Sequence, residues 1–550
     1  MLKIIPIGGL GEIGLNMMVF EYEDTIVIID AGLMFPEDYM LGVDYVIPDM
    51  DYIRKNKDKV AGIILTHAHE DHIGALPYLL KEVNIPVYAT GFTIGMLRRK
   101  IEEHDLLSVT YLHEISPREK LQIPPFDFEF IRVNHSVVDG VGIVISTPVG
   151  RIVHTGDFKL SETEIPGMMT DIDTFERLGG EGVLALLSDS TNVEKDGRTI
   201  SDEIVGETLR KIISNSKGRV IVALFASNIA RIQQVVNIIK SGKRKIVFNG
   251  RSIELSVKTA MGLDMLHIPD GMEIDVDLID QYSPDEILIM TTGSQGEPMS
   301  ALTRMSTGMH KQIKVEKGDT VILSSKFIPG NEKAIAKIIN DLFRKGADVI
   351  YEKISEIHVS GHAFRDELKE MINLTMPDYF IPIHGEYRHL FHHAKLAEEV
   401  GIPKDQVLLV ENGQIIEFDE HGGRINGNIS TSRILVDGKG IGDVGRLVLK
   451  ERRLLSEEGL VVVTIALDEE TGFIVYGPEI ASKGFVFEHE TGHIIEDAKC
   501  VILEIIEDIS IFDPTDRVEV LSKRLHRALR EYFNFTIKRK PVILPFIMEI

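Results

Sequence analysis

The sequence predicts an α/β protein built from several domains. Three observations lead to this fold class: a length of 550 residues, a regular alternation of strand and helix patterns over about 201–350, and a histidine cluster at a strand-to-helix turn near residue 67. A single hydrophobic core rarely grows beyond about 250–300 residues, so a chain of this length divides into domains. Alternating strands and helices are typical of a parallel sheet with helices on both faces.

The composition is that of a globular protein, with 44% hydrophobic and 26% charged residues. No apolar run reaches the roughly 18 residues needed to cross a membrane, and the first residues enter a strand without the layout of a signal peptide. The single cysteine, Cys500, excludes an intramolecular disulfide, and we expect a cytoplasmic protein without a membrane partner. The net charge of -25 argues against non-specific coating of nucleic acid. It does not exclude a nucleic-acid enzyme with local cationic loops and a metal centre.

The N-terminal segment contains the glycine pattern Gly9-Leu10-Gly11-Glu12-Ile13-Gly14, which fits the dinucleotide-binding fingerprint G-x-G-x-x-G. That fingerprint requires a helix after the last glycine, but the strand Thr25–Ile29 follows too soon for one. The segment 3–30 therefore predicts antiparallel strands, with the glycines in a tight turn. Asp30 ends a buried strand, where a carboxylate can orient a metal-bound histidine.

The stretch Thr66-His67-Ala68-His69-Glu70-Asp71-His72 combines three histidines and an aspartate within six residues. It lies between an apolar run typical of a buried strand and a segment with helical apolar spacing. His67 and His69, two apart in extended chain, project to the same side. Imidazole and carboxylate without thiolate indicate zinc, with manganese as an alternative. A histidine-rich surface turn would explain an isolated His-x-His better than it explains four ligand-type residues at a buried boundary.

More metal-type residues follow later strands. His135 comes after the strand predicted at 128–133, and Asp157 ends the strand that starts at Arg151. Either residue alone is as consistent with a structural role as with a ligand. Because both follow a strand, we expect them to meet the first cluster at one sheet edge. The next strand, at 183–187, ends at Ser188-Asp189-Ser190-Thr191-Asn192.

The alternating block has small and polar residues at the ends of its strands: Ser227-Asn228, Asn249-Gly250-Arg251-Ser252, Thr292-Gly293-Ser294-Gln295-Gly296 and Ser325-Lys326. Ligands of open parallel sheets bind at these carboxyl ends, and small residues let backbone N–H groups approach phosphate. Ordinary turns have the same composition, so phosphate loops and plain turns remain alternatives.

Histidines return after this block, in His358-Val359-Ser360-Gly361-His362 and in Ile383-His384-Gly385-Glu386. The block is therefore predicted to be an insertion within the metal domain. We expect these boundaries: 1–200 for the first part of the metal domain, 201–350 for the insertion, 351–420 for the return segment, 421–450 for a linker and 451–550 for a C-terminal α/β domain. The last unit has no ligand cluster, and we expect a structural or oligomerising role for it.

These residues resemble a known family. The pattern His67-x-His69-x-Asp71-His72, with His135 and Asp157, resembles the metallo-β-lactamase superfamily of binuclear hydrolases. The insertion, with Asp189, His362 and His384, is similar to the β-CASP branch, which cuts nucleic acids. Longer stretches resemble bacterial ribonuclease J, at 8–14, 35–48, 187–192, 292–298 and 382–388. The resemblance covers essentially the whole chain and implies an αββα sandwich, an inserted parallel-sheet β-CASP domain and a small α/β C-terminal domain.

The resemblance also implies two zinc ions per chain. One would be bound by His67, His69 and His135, the other by Asp71, His72 and His384, with Asp157 bridging both. A structural calcium ion is suggested at Gly42, Asp44 and Asp437. Substrate contacts are implied for His358, Val359, Ser360, Gly361 and His362, and the loops at Ser227, Asn228 and Ser294 are expected to face the metal domain.

The implied activity is hydrolysis of single-stranded RNA, by 5′→3′ exonuclease action that favours a 5′-monophosphate and by internal cleavage, in RNA maturation and mRNA decay. Cleavage expels O3′, which needs a proton, and His362 oriented by Asp189 is the candidate donor; Asp71 is assigned to catalysis as well as to the metal. A contact with substrate phosphate is the alternative role of His362. Candidate phosphate contacts, each with the alternative of a solvated charge, are Arg251, Arg304, Lys326 and Arg388. We expect a homodimer or homotetramer assembled through the C-terminal domain.

Three other functions explain parts of the sequence. A small-molecule metallo-hydrolase explains the ligand cluster but gives the insertion no role. A β-CASP DNA nuclease has the same metal residues, since contacts to the 2′-OH cannot be located in the sequence. A noncatalytic RNA-binding subunit is disfavoured by the intact ligand set.

Overall fold

The computed structural model describes residues 1–160, 168–294, 297, 299–325, 331–352, 357–438, 440–485, 492–509 and 517–550. The chain forms two compact units, one of Met1–Met34 with Val46–Ile434 and one of Phe35–Tyr45 with Leu435–Ile550. Within the described ranges, no helix has the length and apolar character needed to cross a membrane. Three residues of the predicted phosphate loops, Gln295, Gly296 and Lys326, lie outside these ranges.

The first unit contains an eight-stranded mixed sheet. Its N-terminal part is the antiparallel meander predicted for 3–30, because a strand rather than a helix follows the glycine motif. Later strands join in parallel, through pairing of Thr25–Ile29 with Val60–Ile64. Across the sheet the order is Gly422–Asn428, Gln414–Asp419, Leu2–Gly8, Met17–Tyr22, Thr25–Ile29, Val60–Ile64, Val87–Thr90 and Leu112–Ile115.

A six-stranded sheet packs face to face on the first. Phe126, Phe128 and Phe130 are buried while Asp127 between them is exposed, as strand alternation requires. These rings share one hydrophobic core with residues of the first sheet such as Phe20. Across this second sheet the order is Tyr379–Ile383, Ala185–Asp189, Gly150–His154, Val141–Thr147, Phe126–Arg132 and Lys120–Ile123.

Helices complete the predicted αββα sandwich. On the second sheet, buried residues of three helices share a core with the strands: Ile172–Glu181, Arg365–Thr375 and Tyr387–Glu399. Gly91–Glu102 contacts the strands Val87–Thr90 and Leu112–Ile115 of the first sheet. The remaining helices of this part lie in its connections, at Asp51–Lys55, Glu70–Ile73 and Leu76–Glu82.

The predicted insertion contains a five-stranded parallel sheet with its own core. The strand order is Lys245–Asn249, Ile287–Thr291, Val220–Ala223, Thr320–Leu323 and Asp348–Ile350. Helices alternate with these strands at Asp202–Asn215, Ile229–Ile239, Arg251–Gly262, Ala301–Thr307 and Glu332–Arg344. The parallel architecture is as predicted, while the limits 201 and 350 stay a prediction.

The prediction of a linker over 421–450 is wrong, because most of that segment has regular structure. Gly422–Asn428 is an edge strand of the first sheet, Arg433–Asp437 pairs with Gly440–Ile441, and the helix Arg446–Glu458 begins before residue 450. The last five residues of that edge strand are exposed. A solvated edge strand buries no alternating apolar residues, so the pattern that predicts strands was missing.

The second unit includes the small α/β domain predicted at the C-terminus. Leu460–Leu467 is its central strand, antiparallel to Ile474–Lys483 and parallel to Val542–Glu549. Two helices, Gly492–Ile509 and Arg517–Ile537, share the core of this sheet through residues such as Ile502 and Leu525.

Candidate active site

A cluster of histidines and aspartates lies where five strands of the sandwich end. The strands that deliver them are Val60–Ile64, Phe126–Arg132, Gly150–His154, Ala185–Asp189 and Tyr379–Ile383. Ligand-type atoms in the cluster fall into three groups, and within each group they lie within 4.8 Å of one another. Two of these groups contain the residues predicted to bind two metal ions, and the third was not predicted as a group.

The first group consists of His67, His69, His135 and Asp157. His69 Nδ1 is 3.1 Å from Nε2 of both His67 and His135. Asp157 Oδ2 lies 3.6 Å from His67 Nε2 and 3.7 Å from His135 Nε2. Converging nitrogens at this spacing suit the ligands of a single tetrahedral ion.

The second group consists of Asp71, His72 and His384. His384 Nε2 is 3.3 Å from Asp71 Oδ2, and His72 Nε2 is 3.3 Å from Asp157 Oδ2. Asp157 also reaches His384 Nδ1 at 3.7 Å through its other oxygen. Asp157 therefore lies between the two groups, where a carboxylate could be shared by two ions.

The third group joins Asp157 and His384 to Asp189 and His362. His362 Nδ1 is 2.8 Å from Asp189 Oδ2, and the His362 side chain is 21% exposed, whereas Asp189 is buried. His362 Nδ1 also lies 3.9 Å from Asp157 Oδ2. The Asp189–His362 pair expected from the sequence is formed, and His362 also lies beside the carboxylate that the other two groups share.

Four of the histidines have one ring nitrogen bonded to the protein and the other directed at the cluster. His135 Nδ1 donates to the Gly361 carbonyl at 2.7 Å, and His72 Nδ1 lies 2.7 Å from Asp30 Oδ2. Thr66 Oγ1 donates to Asp30, so it accepts from His67 Nδ1 at 3.0 Å. In the same way Thr191 Oγ1, a donor to Asp189, accepts from His384 Nδ1 at 2.7 Å. The Nε2 atoms of these four rings face the cluster, which is the arrangement that metal-ligating histidines show.

The electrostatics of the cluster also fit a cation. Burial lowers the pKa of His69 to about 4, and lowers the pKa of His67 and His135 well below the usual value, so these imidazoles are neutral as ligands must be. Burial opposes ionisation of Asp157, but His384 and His72 hold its pKa well below the usual range. Although burial lowers the pKa of His384, Asp157 and Asp189 raise it to about 10. The carboxylates thus concentrate negative charge that divalent ions can neutralise.

Three residues near the metal groups were missed in the sequence. Asn16 Nδ2 donates to the Asp71 carbonyl at 3.0 Å and lies 3.2 Å from His72 Nε2. Gly9 has φ of +90°, and a Cβ there would lie 2.4 Å from Asn16 Oδ1, so the glycine motif admits this asparagine. Thr191 bonds Asp189 and His384, and Asn192 Nδ2 donates to Ser360 Oγ and to the His362 carbonyl. For Thr191 and Asn192, the only sign in the sequence was their position directly after Asp189.

The predicted substrate residues lie in two places. Gly361, Ser360 and His362 lie in the cluster, with Val359 buried beside them. In the insertion, Asn228 caps a helix by accepting from Arg231 N, and Ser227 lies in the turn before it. Ser294 is buried, and Arg251 is the first residue of the next helix. Ser324 Oγ donates to the Ile357 carbonyl at 2.6 Å, and so joins the strand ends of the insertion to the residue before His358. No metal-group atom contacts Ser227, Asn228, Arg251 or Ser294 in the hydrogen bonds of the described residues.

Of the candidate phosphate contacts, Arg388 is paired with Glu194 and Glu386. Arg251 is exposed. Arg304 Nε is buried without a hydrogen-bond partner in the described part of the chain. Lys326 lies outside the residues that the structure describes.

The predicted calcium residues belong to the second unit, and a guanidinium lies among them. Arg452 Nη2 donates to Asp437 Oδ2 at 2.5 Å, and its Nη1 donates to the Leu41 carbonyl at 2.9 Å. A Cβ on Gly42 would lie 2.7 Å from Arg452 Nη1, and Asp44 Oδ2 accepts from Gly438 N. These residues do not fit a calcium ion as they stand, because the arginine already neutralises Asp437.

The sandwich, its insertion and the histidine–aspartate cluster define the class: a metallo-β-lactamase-fold hydrolase of the β-CASP type. Residues 10–180 match the metallo-beta-lactamase superfamily, and residues 346–406 match a Zn-dependent metallo-hydrolase RNA specificity domain. Residues 217–342 match the ribonuclease J beta-CASP domain, and residues 447–550 match the ribonuclease J C-terminal domain.

Curated relatives cover the full length of the chain. Ribonuclease J 1 of Streptococcus pyogenes serotype M3 is 43% identical over 99% of this chain and 97% of its own length. Ribonuclease J2 of Bacillus subtilis strain 168 is 41% identical over 100% and 98%, and ribonuclease J 2 of Staphylococcus aureus is 37% identical over the same shares. The chain therefore belongs to the ribonuclease J family. A solved structure of a protein of unknown function from Enterococcus faecalis V583 shares the fold, with a TM-score of 0.52 and 16% identity over 76% of this chain and 99% of its own length.

Proposed function

We propose that this protein is a metal-dependent ribonuclease that hydrolyses RNA phosphodiester bonds at the cluster around Asp157. The observation that carries the proposal is the position of Asp157 between the two clusters of metal-type ligands. The Asp189–His362 pair lies beside it. His67, His69 and His135 would hold one divalent cation, and Asp71, His72 and His384 a second, with Asp157 shared. Nitrogen and oxygen donors without thiolate suit zinc, and manganese is compatible. Two such cations would supply Lewis-acid polarisation of the phosphate and of the attacking water.

His362 delivers the proton in this proposal. As the water oxygen bonds to phosphorus and gives up a proton to the medium, the P–O3′ bond breaks, and the proton on His362 passes to the departing O3′. Asp189 accepts from His362 Nδ1, which leaves Nε2 as the nitrogen that can face the substrate. Partial exposure of the His362 side chain supports access to RNA.

A substrate with sulfur in place of the bridging O3′ tests this role. A thiolate leaves without protonation, because thiols are much stronger acids than alcohols. We expect His362→Gln to lose about 10²–10⁴-fold in kcat on ordinary RNA, and to cleave the sulfur-bridged RNA at nearly the wild-type rate. Equal losses on both substrates would assign His362 to phosphate binding or to the metal instead.

The strand ends of the insertion are proposed to hold the 5′-monophosphate of the RNA, which would direct 5′→3′ exonuclease action. The bond from Ser324 to Ile357 supports this, since it joins that edge to the segment of His358 and His362. Ser227, Asn228, Ser294 and Arg251 are the residues proposed to contact the phosphate. Comparing decay of 5′-monophosphate and 5′-triphosphate RNA of one sequence tests the pocket, and equal processive rates would remove it.

The wider role proposed is RNA maturation and mRNA decay in the cytoplasm, with internal cleavage beside exonuclease action. Single-stranded RNA is the proposed substrate, and matched RNA and DNA strands in one cleavage assay test this choice. We also propose a homodimer or homotetramer assembled through the C-terminal domain. Light scattering of the full chain tests the assembly.

A further inference from the structure

Glu367 is a buried carboxylate that accepts four hydrogen bonds. Its Oε1 accepts from Leu160 N at 2.9 Å and from Thr199 Oγ1 at 2.8 Å. Its Oε2 accepts from Thr199 N at 2.8 Å and from Phe364 N at 3.0 Å. The side chain is 0% exposed, so every acceptor site faces protein.

The donors belong to three segments that carry residues of the cleavage site. Leu160 is three residues after Asp157, and Thr199 follows the segment that begins at Asp189. Phe364 is two residues after His362. The Glu367 side chain thus joins three stretches of chain to one another. These stretches follow Asp157, Asp189 and His362.

Backbone hydrogen bonds also join the His362 segment to the segments that follow Asp157 and Asp189. Ala363 N donates to the Phe158 carbonyl at 2.7 Å, and Arg365 N donates to the Lys195 carbonyl at 2.9 Å. Upstream, Asn192 holds the His362 carbonyl at 3.1 Å. Downstream, Glu367 bonds all three segments at once.

We propose that Glu367 is a positioning residue for RNA cleavage, which fixes the His362 segment against the segments of Asp157 and Asp189. The proposal rests on the function proposed above. It needs the carboxylate rather than its shape alone, because two anionic oxygens can accept from four donors, whereas an amide presents N–H groups to some of them. A small displacement of a reacting group can cost about 10²-fold in rate.

The test compares Glu367→Gln with Glu370→Gln. Glu370 lies on the same helix, where its partly exposed side chain pairs with Arg198, so this control removes the same charge from the same element. Metal content, KM and kcat are measured for the full chain on 5′-monophosphate RNA and on RNA with a sulfur at the bridging 3′ position. We expect Glu367→Gln to keep its metal and its KM, to lose about 10²-fold in kcat on ordinary RNA, and to regain near wild-type kcat on the sulfur substrate.

Other outcomes overturn the proposal in distinguishable ways. Equal losses on both substrates, or kinetics like those of Glu370→Gln, assign Glu367 to stability alone. If His362→Gln itself shows no recovery on the sulfur substrate, the proton-donor role fails first. If His362→Gln recovers and Glu367→Gln does not, only the positioning role fails.

Should Glu367→Gln not fold, Thr199→Val decides. It removes the Oγ1 donor and keeps Thr199 N, so one of the four bonds is lost without a change of charge. The same pattern with a smaller loss of kcat supports the proposal, and wild-type kinetics contradict it.

Discussion

At the scale of single residues, the site is organised by the second ring nitrogen of four of its histidines. Asp30, Thr66, Thr191 and the Gly361 carbonyl each bond the ring nitrogen that faces away from the cluster. Such partners fix the orientation of a ligand and raise its basicity. Their contribution can be measured separately from that of the ligands.

Asp30→Asn tests this contribution. The amide keeps the volume of the side chain but loses the negative charge 2.7 Å from His72 Nδ1. We therefore expect the affinity for the metal to fall about 10–100-fold, and the rate of RNA cleavage to fall with it. Metal titration and initial rates measure the change. Asp58→Asn, at an exposed position, is the control and should match wild type; a similar loss in both variants would contradict a role for Asp30.

Residues that belong to a local pattern, follow a predicted strand or match the family motif were predictable, and isolated residues brought to the site by the fold were not. His67, His69, Asp71 and His72 form a local pattern with a ligand-like composition. Asn16 and Glu367 have no such neighbours, and their bonds reach Asp71 and Leu160 across 55 and 207 residues of chain. Only tertiary contacts reveal them.

At the scale of elements, two helices make a contact that depends on the absence of a side chain. Gly95 lies inside the helix Gly91–Glu102, and a Cβ there would lie 2.2 Å from Thr259 Cγ2 on the helix Arg251–Gly262. The first helix belongs to the sandwich and the second to the insertion. Close packing of these helices therefore couples the two parts of the first unit.

Gly95→Ala has opposite effects in two backgrounds. In wild type we expect a loss of about 1–3 kcal/mol from overpacking. In the Thr259→Ala background the space is open, and the helix propensity of alanine should give a gain of up to about 1 kcal/mol. Urea unfolding measures both changes, and the same sign in both backgrounds would disprove the contact.

Arg452 lies in the helix Arg446–Glu458 and bonds the segment 35–45 through the Leu41 carbonyl. Its pairing with Asp437 allows a test of calcium binding. We expect calcium to leave the melting temperature of wild type unchanged, because Arg452 already pairs with Asp437. In Arg452→Met that carboxylate loses its partner, and millimolar calcium should raise the melting temperature relative to chelator. Stabilisation of wild type by calcium would show instead that the ion displaces the arginine.

The elements were predicted best where burial leaves an apolar pattern in the sequence. The strands of the insertion include buried apolar runs such as Val220–Ala223, and the alternation of strands and helices over about 201–350 predicted their parallel sheet. The edge strand Gly422–Asn428 is solvated and glycine-rich, and it was taken for a linker. The calcium residues were suggested by the resemblance alone, and it gave no sign of the arginine 15 residues beyond Asp437.

At the scale of the whole molecule, the cluster binds several distant segments into one site. Cations bound there stabilise the folded chain by mass action, by about 2.7 kcal/mol at a concentration 100 times the dissociation constant. We therefore expect chelator treatment to abolish RNA cleavage and to lower the melting temperature, and zinc or manganese to restore both. Activity that persists after measured metal removal would contradict the metal-dependent function.

The first strand of the protein pairs with a strand made more than 400 residues later, since Leu2 lies opposite Phe418. Leu10 and Gly11 likewise pair with Gly385 and Glu386, next to His384. During translation, the ribosome must release almost the entire first unit before these partners meet. We expect a nascent chain to acquire the ability to cleave RNA only after that moment, because the segments of the cluster come together late in synthesis.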